Sequence, residues 1–556
     1  MGCFNNNFTY QRRSSNRIKC WMVAMINLSN SSGRRLTNIH GWAGVLFGLA
    51  LYIVVFSGAI VVLSHEIGVW SVSGHKLGDG LQGKIDKRLD ELSSNLPKEY
   101  KDEVGLWQNA SGELIAFFHT HVQNDQGKIT EKGTRFVLDP NTLEIISQVE
   151  GFDDELPHVT SGFLEEFFVK LHTKLHVPDP IGLYLTGILG LVLLVSAVSG
   201  FIIHRHLIKD IFLSPRLNTR LLNKRDRHNL AGTWGLVFSI ILAFTGAFFS
   251  FATTLGLPVI AMTAFGGDQQ KAVTAIYGEP SIVDPTPKTF VGVEDIIEHS
   301  KKANIAGSAP VFVFIEHWGR ADAVISTTHS PNDDHLFYTT HQFSGVTGEY
   351  LGEKAGVGDQ PSAGSALFGM MGVLHFGWFA GLFSRIIWLS LGLATCYVTI
   401  SGLQLWVQRR EKEQRWQELA KLIPIIGYGL PIAMIGAAAG FTLTYSQHTE
   451  HVETWTINGF LIGIVVSFII GLSLSSSEKG KQVLQRLLAV GLILLPITRG
   501  LSHQTFIGDP NVVAMDISLI ISGIIVFMVS RKSSTYFIKD NAKLNDNNAE
   551  RHSNEY

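Results

Sequence analysis

His40-Gly41-Trp42-Ala43-Gly44 opens one uncharged run, and His228-Asn229-Leu230-Ala231-Gly232, 188 residues further on, opens another. In both, a glycine follows the histidine by 18 residues: Gly58 behind Ser57, and Gly246 behind Thr245. A second echo runs across the same duplication. Leu171-His172 and Leu374-His375 each precede an apolar stretch ending in Ser-Gly, at Ser199-Gly200 and Ser401-Gly402, with His-to-Gly spacings of 28 and 27. Four histidines at repeated positions beside membrane-length runs predict ligands in or near lipid.

The composition agrees with a membrane chain that carries sizeable polar parts. Hydrophobic residues make up 46% and charged residues 17%, with a mean hydropathy of +0.20. The cysteines, Cys3, Cys20 and Cys396, form neither a disulfide framework nor a CxxC site. A bilayer core of ~30 Å takes about 20 apolar helical residues. The runs 36–64, 181–203, 229–264 and 386–408 contain no Asp, Glu, Lys or Arg, and 422–445, 456–474, 485–498 and 512–530 add four more candidates. The expectation is therefore eight spans.

Lysine and arginine orient them. Arg34 and Arg35 precede span 1, Arg205 to Arg227 follow span 2, Arg409 to Lys421 follow span 4, and Lys479, Lys481, Arg531 and Lys532 come later. An eight-span count puts them all on one side, which places both termini in the cytoplasm. The basic leader has no cleavable signal, and Met22 or Met25 offers an alternative start. The domain expectation is a basic tail (1–33), TM1 (34–64), a first outer domain (65–180), TM2 (181–206), a cytoplasmic loop (207–227) and TM3 (228–264). A second outer domain (265–373), TM4 (374–408), a cytoplasmic loop (409–421), four C-terminal spans (422–530) and a cytoplasmic tail (531–556) follow. Each outer segment reads as a small α+β unit. Residues 81–96 and 293–303 are the helices, and 113–121, 134–138, 144–148, 311–316, 321–328 and 336–341 are the strands.

Parallel repeats of this kind are related by a pseudo-two-fold axis along the membrane normal. Such an axis brings His40 to His228 on the cytoplasmic side and His172 to His375 on the outer side. Two stacked bis-histidine pairs suit two haems, since a haem takes axial ligands from opposite faces and neutral imidazole is a common one. A single histidine at a span end is more often an interfacial residue, and a proton relay or quinone site is a further reading of the set. The remaining histidines fail the repeat test: His176 corresponds to Phe379, His204 to Trp406 and His65 to Thr253. His204 and His206 lie close enough to the inner pair to substitute for a ligand or to touch a propionate. Arg385 is a candidate propionate partner or lipid anchor. Phe376, Trp378 and Phe379 line an exit route or simply pack. His119, His121, His317, His329, His335 and His341 belong to strands and turns of the outer units. No P-loop, HExxH or dinucleotide fingerprint is present, and the basic residues flank membrane spans rather than forming a nucleic-acid surface.

Arg35-Leu36-x-x-x-His40-x-Trp42-x-Gly44, Leu171-His172, Arg227-His228, Leu374-His375-x-x-x-Phe379-x-Gly381 and Trp406-Val407-Gln408-Arg409-Arg410 together resemble the PepSY-associated transmembrane family over about residues 34–410. The resemblance implies a bacterial inner-membrane, multi-pass protein, mainly α, in which a duplicated TM–PepSY-like α+β domain–TM core forms four helices, with about four further helices behind it. It also implies two b-type haems on His40, His228, His172 and His375. The activity implied is that of a ferric-chelate (siderophore) reductase of iron uptake, fed by a quinol or a cytoplasmic reductase. The contrasting expectation is a membrane-anchored PepSY binding or regulatory protein without redox activity, in which the histidines are dispensable.

Overall fold

The computed structural model describes residues 29–553, save 75–80, 82–84, 110–111, 124–128, 205–211, 213, 217–218, 278–282, 304–306, 331–337, 355–362 and 475. The protein is a membrane α protein carrying one antiparallel sheet. Among the described residues seven helices are long and apolar enough to cross a membrane, and a bent pair, taken as one span, makes an eighth.

The duplicated part begins with α1 (Asn30–Val61) and the short α2 (Ser64–Ser71). The first sheet segment follows: α3 (Asp86–Ser94), β1 (Glu103–Gln108), β2 (Leu114–Gln123), β3 (Ile129–Leu138) and β4 (Ile145–Phe152). Helix α4 (Phe163–Lys174) returns the chain to the membrane, and α5 (Ile181–Ile203) crosses it. The second copy enters through α6 (Arg220–Trp234) and α7 (Leu236–Phe251), bent by 63° at the break between them. It continues through α8 (Leu257–Ala264), α9 (Gln269–Tyr277), α10 (Val293–Ala303), β5 (Phe312–Glu316), β6 (Val324–His329), β7 (Thr339–Ser344) and β8 (Tyr350–Glu353). Helix α11 (Ala363–Phe376) and the spanning α12 (Gly381–Gln408) complete it. In the membrane, α1 packs against α5 and α12, α5 against α7, and α6 against α12, giving a four-span core.

The two sheet segments do not stand apart. They share one eight-stranded sheet of order β4-β3-β2-β1-β5-β6-β7-β8, with β1 paired antiparallel to β5 from Glu103↔Glu316 to Trp107↔Phe312. An unpaired strand edge invites foreign pairing, and joining β1 to β5 removes one such edge from each half. The even-numbered residues of β2 (Leu114, Ala116, Phe118) and their neighbours Leu106, Val313, Ile325 and Phe343 build one core beneath α3 and α10. These two helices cap each other: the Asp86 carboxylate accepts from the Val293 amide at 2.7 Å, and Glu294 accepts from the Asp86 amide at 3.1 Å.

Four more helices follow: α13 (Gln414–Tyr445), α14 (Val452–Ser473), α15 (Ser477–Ser502) and α16 (Pro510–Ser553). Close packing of α13 on α14 depends on small residues, because a Cβ at Gly436 or Gly459 would run into the other's backbone carbonyl. This bundle is tied to the core at the sheet side. Arg499, fully buried, pairs with Asp516 at 2.7 Å, donates to Ser73 Oγ at 2.7 Å, and shares Asp516 with the Trp70 indole N–H, also at 2.7 Å. An intramembrane charge is tolerable only when partnered in this way.

Candidate functional site: two facing histidine pairs

The four repeated histidines meet in two pairs. On the basic side, the ring centres of His40 (α1) and His228 (α6) lie 6.4 Å apart with planes at 72°. On the sheet side, those of His172 (α4) and His375 (α11) lie 6.2 Å apart at 24°. A metal bound to two imidazole nitrogens at about 2 Å each, with each ring centre ~1.1 Å behind its nitrogen, places the centres roughly 6 Å apart. Both pairs have that spacing.

The seats that hold the rings follow one pattern, used four times. Each histidine presses its Cε1 edge against a glycine of a neighbouring helix: His40 on Gly200, His228 on Gly402, His172 on Gly58 and His375 on Gly246. These are the glycines whose spacing marks the duplication. Each lacks a side chain because an imidazole occupies that place. A Cβ would come within 2.6 Å of His172 at Gly58, and within 3.2 Å of the rings at the other three. On the basic side the serine before each glycine and the carbonyl four residues before it serve the same ring; on the sheet side one of the two does. His40 Nδ1 donates to Ser196 O (3.0 Å) and meets Ser199 Oγ (3.2 Å), and His228 Nδ1 donates to Val398 O (3.1 Å) and meets Ser401 Oγ (3.0 Å). His172 Nδ1 donates to Val54 O (2.9 Å), and His375 Nδ1 to Thr245 Oγ1 (2.9 Å). A backbone carbonyl only accepts, so Nδ1 carries the proton in His40, His228 and His172. At His375 the Thr245 hydroxyl gives its own proton to Ile241 O at 2.7 Å and is left to accept, so each Nε2 keeps the lone pair that a metal can take.

Beside His40 and His228 the helices enclose a cavity of about 710 Å³, within the size range of cofactor sites. Gly44 and Gly232, each one turn beyond its histidine, line this cavity. A Cβ added at Gly44 meets nothing within 4 Å, and one at Gly232 meets only Val398 Cγ1 at 3.9 Å. A flat ring would approach the helices across these two bare faces. On the sheet side, Phe249 packs edge-on to His375 at 5.6 Å, and Phe376 and Trp378 stack beyond it at 4.4 Å.

The other histidines lie elsewhere or in supporting roles. His204 caps the end of α5 and lines the basic-side cavity, as does Trp406, its counterpart in the duplication. His176 sits against Phe167 at 4.3 Å, away from both pairs. His65 neighbours Glu165, and His206 and His335 fall outside the described residues. Arg385 is committed to Glu66 at 2.6 Å. In the sheet, His119 and His121 face Glu103, each at 3.2 Å, with Glu131 at 3.7 and 3.8 Å. Burial alone would lower the His119 pKa, but the Glu103 and Glu131 carboxylates outweigh it and raise the value. Glu103 is correspondingly lowered, the two histidines overcoming its own burial. His317 pairs with Asp322 at 3.2 Å, and His329 packs on His341 at 5.5 Å. The role of the Ser/Thr-Gly pairs as ring seats escapes a reading of the sequence alone. Their repetition is the signal that could have revealed it.

The sequence pattern of the PepSY-associated TM region matches residues 37–409, the stretch that carries both pairs and the sheet. An uncharacterized protein of Pseudomonas aeruginosa is 26% identical over 288 residues, covering 49% of this chain and 70% of its own.

Proposed function

From the premise that the chain belongs to the PepSY-associated TM family, we propose that it is an inner-membrane di-haem reductase passing electrons to ferric chelates outside the membrane. His40 and His228 would hold one b-type haem, and His172 and His375 the other. The observation that carries this reading is the pair geometry: imidazole centres 6.4 and 6.2 Å apart in the two pairs, each ring with its Nδ1 engaged by a neighbouring helix. Among the described residues no group of three or more His, Cys, Asp or Glu is placed to hold a metal ion. A two-ligand pair therefore suits a metal that brings its remaining ligands with it, as haem iron does.

A bis-histidine haem supplies reversible one-electron chemistry. The protein's part is to keep both rings fixed, through the glycine seats and the Nδ1 hydrogen bonds, and to hold the two pairs at opposite ends of the four-span core. The basic flanks orient the His40–His228 pair toward the cytoplasm, where a quinol or a cytoplasmic reductase would donate. The His172–His375 pair then faces the sheet domain and the periplasm. The acceptor class is Fe(III) held by a siderophore of hard oxygen donors, which bind Fe(II) less well and so release it on reduction. The test is a reduced-minus-oxidised spectrum of the purified, folded protein. A low-spin b-type signal worth two haems per chain is expected, and its absence would sink the proposal.

A further inference from the structure

The cavity beside His40 and His228 has two distinct ends. Its deep wall is glycine and aliphatic: Gly44, Gly48, Gly232, Leu193 and Leu236. Its basic-side lining carries three arginines, Arg225, Arg409 and Arg410, and among the described residues no Asp or Glu lines the cavity. Asp226 lies 3.7 Å from Arg225, but its two oxygens are already gripped by Arg216 at 2.7 and 2.8 Å. Among the described residues, Arg225 Nε is buried with no hydrogen-bond acceptor, and so is the indole Nε1 of Trp406. Buried N–H donors are rarely left unmet, and these two belong to residues of one cavity lining. The Arg410 guanidinium lies over the Trp406 ring at 3.4 Å, and a Cβ on Gly41 would strike that ring at 2.7 Å, so the indole is held in place from both sides.

We propose that this mouth is a carboxylate site. Arg225, Arg409, Arg410 and the Trp406 N–H receive the paired acid groups of a flat amphiphilic macrocycle whose apolar body lies against Gly44 and Gly232. Arginine suits this role because its planar fork matches a carboxylate oxygen for oxygen. The proposal rests on the haem reading above and adds an orientation to it: the inner haem stands with its propionate edge toward the basic side. Lipid phosphate offers the same guanidinium chemistry and is the competing occupant.

The test uses the full chain produced in haem-starved cells and titrated with iron protoporphyrin or with its dimethyl ester, which keeps the plane and the metal but has no charge. The His172→Ala background isolates the inner site. The diacid should bind at least about tenfold tighter than the ester there, the equivalent of one charge-assisted hydrogen bond. The R409Q/R410Q double variant should erase most of that preference, and W406F part of it. The same double variant should also lower the midpoint potential of the inner haem, since a nearby cation favours the reduced iron. Equal uptake of acid and ester by the parent, or an undiminished preference in R409Q/R410Q, overturns the proposal. So does a preference that appears only in phosphatidylcholine vesicles and vanishes in phosphatidylglycerol ones, which would assign the arginines to lipid. Uptake of neither compound overturns the haem reading itself, and this proposal with it.

Discussion

Gly58→Ala tests the seat idea at its tightest point. The added Cβ would stand 2.6 Å from His172 Cε1 and 2.9 Å from Nδ1, whereas ordinary contact begins at 3.4 Å. The ring must therefore retreat by about 0.8 Å, because helix α1 is pinned by α5 and α12. That shift stretches the 2.9 Å bond from Nδ1 to Val54 O to roughly 3.7 Å, beyond hydrogen-bonding range. Overpacking at about 1–3 kcal/mol and a lost hydrogen bond at about 1 kcal/mol give a cost of roughly 2–4 kcal/mol. The displacement matters more than the energy, since metal–ligand distances tolerate only about ±0.2 Å. The purified variant should fold, keep the spectrum of the His40–His228 haem and lose most of the other. Alanine at Gly200, Gly246 or Gly402 needs a shift of only about 0.2 Å from its 3.2 Å contact and should cost under about 1 kcal/mol. Retention of both haems by Gly58→Ala, with unchanged low-spin bands, would refute the seat argument. A flat ranking of the four glycines would refute it equally.

Four further outcomes follow from the same geometry. His40→Ala and His228→Ala should each remove the inner haem, His172→Ala and His375→Ala the outer one, leaving about half the parent's haem each time; pyridine haemochrome assay of the four checks this, and loss in His204→Ala but not His228→Ala would reassign that ligand. A Cβ added at Gly44 meets nothing within 4 Å, so in Gly44→Leu thermal stability should hold while the inner haem is excluded; a variant that melts early, or still binds two haems, speaks against the cavity as its seat. Arg499→Leu leaves Asp516 buried without its cation and should cost about 3–5 kcal/mol, read as a lower melting temperature in detergent, whereas a neutral result would mean that the C-terminal bundle is not anchored there. The sheet should be most stable between the carboxylate and histidine ranges. The Glu103 contribution, its pKa lowered, is present above the ordinary 4.5 and is lost as pH falls through its folded value, while the His119 contribution, its pKa raised, is complete below 6.5 and is lost as pH climbs through its folded value. Hydrogen exchange of β2 amides at pH 4, 6 and 9 should show slowest opening at the middle value, and a monotonic trend would contradict the pairing.

Much of this was legible because lipid imposes a simple grammar. Uncharged runs of spanning length mark the helices, and the repeated histidines mark the ends that face each other. What escaped has physical causes. The run 229–264 is uncharged throughout, and hydropathy carries no direction, so the 63° bend at Gly235 leaves no trace in it. Strands β1 and β8 are short, six and four residues, and β1 is interrupted by Gly105. Its pairing with β5 depends on a partner some 200 residues away, which no local pattern encodes. Ser57-Gly58 and its three counterparts were visible as spacing marks. Which ring sits on which glycine is a packing fact, decided by the helix neighbours.

The seats also show how a duplication becomes two different sites. Within the first copy, His40 of α1 sits on Gly200 of α5, while His172 of α4 sits on Gly58 of α1. Within the second, His228 of α6 sits on Gly402 of α12, and His375 of α11 sits on Gly246 of α7. Every ring is positioned by its own repeat, and only the ring-to-ring approach crosses between repeats. On the basic side both seats offer a carbonyl and a serine hydroxyl to Nδ1, so the two ligands are chemically matched. On the sheet side they diverge: His172 donates to the carbonyl of Val54, His375 to the hydroxyl of Thr245. A carbonyl acceptor draws the Nδ1 proton more strongly than a hydroxyl and leaves Nε2 the better donor to a metal. The pair nearer the sheet is thus built from unequal imidazoles, one held by a carbonyl alone and the other by a hydroxyl alone, and a metal bound there would meet a different ligand pair from one bound on the basic side.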